Sequence, residues 1–129
     1  VFSSPLQRAS TTAISIIGDT TEIKYDDRLK ERSYGDWSGL NKTIVRDEVG
    51  DEAFLSARRG WDTNPPNGES LKDVSLRVKS FINSLPPTGN ILVVSHGNTI
   101  RAISVILGIN TKEEVSSYEI RTGSFLLVK

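Results

Sequence analysis

At 129 residues, with 36% hydrophobic and 25% charged residues, the chain is long enough for one domain with its own core. Sixteen Lys and Arg against sixteen Asp and Glu leave no net charge, which removes the basic footprint a nucleic-acid partner needs. No cysteine, one histidine and no bilayer-length apolar run exclude disulfides, thiolate or multi-histidine metal sites and a spanning helix, so no metal, no membrane partner and a cytoplasmic location are expected.

Residues 1–3 read as the end of a strand. Ser4 then stands where an N-cap belongs, Pro5 at the first helical position, and Gln7 closes a capping box. The helix carries Leu6, Ala9, Ala13, Ile16 and Ile17 on one face and is expected to stop at Gly18. A short strand over 22–25 comes next, then a polar, irregular stretch over 26–40 with Gly35 and Gly39. Residues 41–59 read as a helix in two pieces parted at Gly50, marked by Ile44, Val45, Val49, Phe54 and Leu55. Pro65-Pro66 and Asn67-Gly68 make 60–68 a loop.

The clearest helix begins at Ser70 as N-cap, with Asp73 in its first turn. Leu71, Val74, Val78, Phe81, Ile82 and Leu85 form its stripe, and Pro86-Pro87 ends it. The apolar run over 91–95 reads as a buried strand, and 99–107 as a helix with Ile100, Ile103, Ile106 and Leu107 on one face. Thr111 caps a shorter helix with Glu114 three residues on, and 124–129 reads as a final strand. Alternating strands and helices predict a layered α/β sheet of four strands. Four is thin for this many helices, so the chain is expected to open inside a fold whose first piece is missing.

Four islands depart from these structural patterns. Arg8 sits in a first helical turn, where a cation opposes the helix dipole unless an anion is near. Residues 30–42 mix alternating charges, two aromatics and two glycines; Glu31 there suits proton transfer, and Lys42 suits a phosphate or carboxylate. Arg58-Arg59 before Gly60-Trp61 serves either as a C-terminal helix charge bias or as a phosphate clamp. His96-Gly97-Asn98 lies where a strand hands over to a helix, a place that presents free amides to an anion. Arg101, further along that helix, reads as a solvated residue. No Walker-type loop, magnesium-binding carboxylate cluster or serine triad is present, so the pattern points to phosphate chemistry without a metal.

Ser4-Pro5-Leu6-Gln7-Arg8-Ala9, Glu31-Arg32-Ser33-Tyr34-Gly35, Gly68-Glu69-Ser70-Leu71 and Ser95-His96-Gly97-Asn98 occur in the order found in the histidine phosphatase superfamily. Within it the chain most resembles the 2,3-bisphosphoglycerate-dependent phosphoglycerate mutases, through Gly39-Leu40-Asn41-Lys42, Arg58-Arg59, Pro65-Pro66, Lys72-Asp73 and Asn98. The resemblance implies a three-layer α/β sandwich with a mostly parallel sheet, lacking its first strand and helix. It implies that 1–129 is a single domain, the carboxyl-terminal portion of a longer one. It implies a phosphorylated three-carbon acid as substrate, 2,3-bisphosphoglycerate as primer, and a homo-oligomer. By the same resemblance Arg8 holds the transferred phosphoryl group, Glu31 moves protons and His96 supports the transition state. Arg32, Tyr34, Lys42, Arg58, Arg59, Gly97 and Asn98 would contact the substrate.

One departure matters. The family's nucleophile is a histidine in an upstream Arg-His-Gly strand, and the single histidine here matches the supporting one. The chain by itself is therefore expected to be inactive as a mutase. Two other readings stand beside the mutase: a phosphatase of a small phosphorylated metabolite, and a non-catalytic remnant that binds a phosphorylated ligand or a partner chain.

Overall fold

The computed structural model describes residues 1–129. Its elements run β1 (Phe2–Ser3), α1 (Gln7–Ile17), β2 (Lys24–Tyr25), α2 (Lys42–Val49), α3 (Asp51–Arg59), α4 (Leu71–Asn83), β3 (Val93–Val94) and α5 (Gly97–Ile106). Single 3-10 turns lie at Asp27–Leu29, Gly35–Trp37 and Glu114–Ser116. The strands are parallel in the order β2-β1-β3, with Phe2 opposite Lys24 and Val93, and Ser3 opposite Tyr25 and Val94.

Side chains in register on neighbouring strands share a face, and successive ones alternate. Ser3 and Val94 therefore look one way and Phe2 the other. On the first side, Ala9 and Ala13 of α1 pack on Val94, with Ile23 and Leu92 beside them. Small alanines let that helix lie close to the sheet. On the second side Phe2 meets Phe81 of α4 edge-on, ring centres 5.4 Å apart. Val74 and Val78 of α4 then pack against Ala102 of α5. Each fully buried valine contributes about 1.5–3 kcal/mol of transfer free energy. The result is a layer of helix, a parallel sheet and a second layer of helices, the α/β sandwich expected from the sequence.

Local signals account for most helix ends. Ser70 Oγ accepts from the Asp73 amide at 3.0 Å, and Asp73 Oδ2 accepts from the Ser70 amide at 2.9 Å, a complete capping box at the start of α4. Asn41 caps α2 by accepting from the amides of Thr43 and Ile44. Gly50, at φ 87°, parts α2 from α3 as its position between two helical runs predicts.

Several expectations are corrected. Ser4 is not an N-cap: α1 begins at Gln7 after Leu6, which makes no side-chain cap, and Gln7 closes no box. The Ser4 hydroxyl faces His96 instead. Three strands form, each pairing over two residues, because the ladder is only as long as β1. The helix after β3 starts at Gly97, two residues early. Thr111 and Glu114 do exchange hydrogen bonds, at 2.9 and 3.1 Å, but they lead into one 3-10 turn and not a helix. Residues 124–129 pair with nothing and form no strand; Phe125 and Leu127 are exposed. An apolar run alone does not make a strand where no neighbour offers an edge.

Candidate functional site

The carboxyl ends of β1 and β3 deliver Ser4 and His96 side by side, held in register by the Ser4 amide on the Val94 carbonyl at 2.9 Å. His96 Nε2 lies 2.8 Å from Ser4 Oγ, and both residues are buried. His96 is also the N-cap residue of α5, with extended backbone and no side-chain cap. That leaves the first-turn amides of Gly97, Asn98 and Thr99 directed at the same corner, together with the positive end of the helix dipole. Burial holds the His96 imidazole below its ordinary value; the Glu31 carboxylate works against this, while Arg8 and Arg77 reinforce it. The ring is therefore neutral near pH 7, and each nitrogen is free to take the tautomer its partner demands.

Glu31 sits over that helix end. Its Oε1 accepts from the Arg32 amide at 2.8 Å, and its Oε2 lies 3.4 Å from the Asn98 amide. The strap carrying Glu31 is tied to α5 and to the strand end before it. Thr99 Oγ1 donates to the Lys30 carbonyl at 2.8 Å, and Ser95 Oγ to the Leu29 carbonyl at 2.7 Å. The Glu31 carboxylate thus occupies the amide-lined start of α5 through one short and one long amide contact.

Asn98 links this corner to a second wall. Its Nδ2 donates to the Tyr34 hydroxyl at 3.1 Å. Tyr34 then lines a cavity of about 220 Å³ with Trp37, Leu40, Lys42, Phe54 and Arg58. Trp37 stacks on Phe54 with ring centres 5.9 Å apart, and the Arg58 guanidinium lies over the same phenyl ring. Two backbones cross beside it. The Glu69 amide donates to the Ser33 carbonyl and the Asp36 amide to the Pro66 carbonyl, both at 2.9 Å. A Cβ on Gly35, at φ 53°, would come within 2.2 Å of the Pro66 carbonyl oxygen, so only glycine fits the crossing.

The ten site residues named from sequence thus fall into groups. Glu31, Tyr34, His96, Gly97 and Asn98 are brought together. Lys42 and Arg58 join them through the cavity. Arg8 is exposed at the start of α1 and acts on His96 through its charge. Arg32 is 3% exposed, its guanidinium 5.4 Å from the centre of the Tyr34 ring. It donates to the carbonyls of Glu69, Arg58 and Thr63 at 2.5, 2.9 and 3.2 Å, and to that of Ala57. Those bonds make it a brace between α3 and the 63–69 loop. Arg59 pairs with Glu119, Nη1 to Oε1, at 3.4 Å.

Sequence reading misses five participants. Ser4 reads there as a helix cap. Arg77 grips Glu69 at 2.9 Å and also reaches the Arg28 carbonyl. Burial raises the Glu69 carboxyl, but Arg77 and the Ser33 amide outweigh it and hold it below its ordinary value. Thr99 anchors the Glu31 strap. Arg101 is only 9% exposed and is not a solvated residue; its Nη1 donates to Asn98 Oδ1 at 3.3 Å. The three-residue spacing from Asn98, and four from Gly97, is the signal that could have found it, since such residues share a helix face. Glu119 lies in a segment with no periodic pattern and carries no such signal.

The sequence profile of the histidine phosphatase superfamily (branch 1) matches residues 1–129. A 2,3-bisphosphoglycerate-dependent phosphoglycerate mutase of Mesorhizobium japonicum is 40% identical over 132 aligned positions, covering 95% of this chain and 64% of the relative. One of Methylorubrum populi is 39% identical, covering 95% and 62%. The chain thus spans a little under two thirds of these relatives. Among solved structures, a mycobacterial glucosyl-3-phosphoglycerate phosphatase in complex with inorganic phosphate is 29% identical, with a TM-score of 0.77 over 92% of this chain and 63% of that one. The α-ribazole phosphatase of Shigella flexneri is 27% identical, with a TM-score of 0.76 over 95% and 62%. No helix is long and apolar enough to cross a membrane.

Proposed function

This chain belongs to the histidine phosphatase superfamily, and from that membership we propose that it forms the proton-transfer and leaving-group side of a phosphatase acting on a small phosphorylated metabolite. The observation that carries the choice is the cavity beyond Tyr34. Trp37, Leu40 and Phe54 give it apolar walls, and Lys42 and Arg58 are its only cations. Arg32 is consumed by backbone carbonyls and Arg59 faces Glu119. A site built for an acceptor with both phosphate and carboxylate would keep more of those cations open; apolar walls suit a larger leaving group.

In this reading the phosphoryl group sits over the amides of Gly97 and Asn98, against His96, with Arg8 at its open side. It passes to the nucleophilic histidine that the family places in an Arg-His-Gly segment, so the chain works as part of a longer domain. Glu31 gives its proton to the departing ester oxygen. Water then attacks the phosphohistidine, Glu31 takes the proton back, and inorganic phosphate leaves. The neutral His96 donates a hydrogen bond as charge grows on the phosphoryl oxygens, and the fixed amides do the same without reorganising.

A second reading, a phosphoglycerate mutase primed by 2,3-bisphosphoglycerate, is favoured by the 40% identity to the Mesorhizobium japonicum mutase. The longest in-frame product containing these residues separates the two. Incubated with a panel of phosphomonoesters, it is expected to release inorganic phosphate with no requirement for 2,3-bisphosphoglycerate. Interconversion of 2- and 3-phosphoglycerate that depends on the primer would establish the mutase instead. Neither activity, with no phosphohistidine formed, would leave only the ligand-binding remnant.

A further inference from the structure

Glu31 opens a run, 31–34, that is neither helix nor strand, so its backbone groups are satisfied from outside. Four consecutive carbonyls leading to it each accept a side-chain hydrogen bond. Ser95 and Thr99 take the middle two from the His96 side, Leu29 at 2.7 Å and Lys30 at 2.8 Å. One guanidinium, that of Arg77 on α4, takes the outer two. Its Nη1 donates to the Arg28 carbonyl at 2.6 Å, and its Nη2 lies 3.4 Å from the Glu31 carbonyl. Arg77 is itself held by Glu69, Nε to Oε1 at 2.9 Å and Nη2 to Oε2 at 3.1 Å. The same Oε2 accepts from the Ser33 amide at 2.8 Å, and the Glu69 amide donates to the Ser33 carbonyl at 2.9 Å. The pair therefore grips the chain before, at and beyond Glu31. Both side chains are largely buried, 22% and 27% exposed.

Resting on the reading of Glu31 as the proton donor, we infer that Arg77, braced by Glu69, is a positioning residue that sets the Glu31 carboxylate against the leaving group. A glutamate reaches only as far as its backbone is placed, and a proton donor must stand within hydrogen-bond distance of the departing oxygen. The planar fork of an arginine spans two carbonyls and a carboxylate at once, which a lysine cannot do. The support is shared with the leaving-group wall: Glu69 ends the loop whose Pro66 carbonyl accepts from the Asp36 amide. Arg77 also bears on the His96 ring through its charge. A role through that ring makes the opposite prediction, because the phosphoryl side serves every ester alike.

The experiment compares kcat/KM for phenyl phosphate and 2,4-dinitrophenyl phosphate, hydrolysed by the longest in-frame product containing these residues. The rings are alike, but phenoxide needs a proton to leave and dinitrophenoxide does not. Arg77→Met is expected to lower the phenyl ester about tenfold to a hundredfold, a part of what a positioned acid supplies, and the dinitrophenyl ester less than about twofold. Behind Glu31→Gln it is expected to cost nothing more. Arg77→Lys keeps the charge beside Glu69 but spans only one carbonyl, so it is expected to fall between, and it carries the comparison if the methionine variant does not fold. Lys79→Met removes a charge from the exposed side of α4 and is expected to change neither ester. Equal loss on both esters, or losses that multiply with Glu31→Gln, would overturn the inference and leave the phosphatase reading intact. Should the parent instead interconvert phosphoglycerates with the primer, the phosphatase reading falls and the same variants are read on that turnover. Silence of Arg77→Met behind Glu31→Gln then upholds the inference, and multiplying losses overturn it.

Discussion

The two walls of the site are built in opposite ways. The His96 wall is buried, drawn from strand ends and a helix start, and bonded residue by residue to Ser4, Glu31 and Thr99. The Tyr34–Arg58 wall is a loop and two short helices, with Lys42 exposed and Arg58 half-buried. What joins them is Asn98, whose Nδ2 donates to the Tyr34 hydroxyl, while Arg32 braces the second wall by tying the end of α3 to the 63–69 loop. A phosphoryl group is the same in every ester, so its wall can be rigid; the leaving group varies, so its wall can vary without disturbing the first.

The largest test of that division is Arg32→Met. It leaves several buried carbonyls without their charged donor and is expected to cost about 3 kcal/mol or more in urea unfolding. A protein of unchanged stability but weaker phosphate binding would make Arg32 a ligand contact and not a brace.

A smaller effect is expected from pH. The folded His96 lies below its ordinary 6.5 because it is buried. The unfolded chain then binds the proton more readily. Stability is fully present above pH 6.5 and is lost as pH falls through the folded value. With one histidine in the chain, its ring proton reports the titration without ambiguity, and Ser4 beside it is the local control. A midpoint at or above 6.5 would mean that Glu31, not burial, governs the ring.

Lys42→Ala should change least. The side chain is exposed and makes no ion pair, so unfolding is expected to shift by no more than about 0.5 kcal/mol. Any loss should appear in affinity for a phosphate ester and not for inorganic phosphate. A large drop in stability would show that the open wall is as tightly built as the closed one.

The strand-Gly-helix junction at His96 and the capping box at Ser70 are legible because each is a local pattern with a local cause. Gly50 between two helices is legible for the same reason. Ser4 misleads because a serine before a proline offers a cap as readily as a histidine partner, and only the pairing of β1 with β3 decides between them. The last six residues mislead because an apolar run suits a strand but says nothing of whether an edge is there to pair with. Arg32 and Arg59 look alike as cations in sequence, yet one is spent on carbonyls and the other on a single long ion pair.

Local sequence patterns set the order of elements as far as α5, the motif set that places the chain in its superfamily, and the corner of Glu31, His96, Gly97 and Asn98. Each rests on spacing within a few residues or on residue types that the chemistry demands. The tertiary structure alone decided which arginines remain free for a ligand. The donors of Arg32 meet carbonyls some 25 to 37 residues away, and Arg59 meets Glu119 across the fold. A guanidinium's partner is set by which backbone comes within reach, and contacts so distant along the chain exist only after the layers have packed.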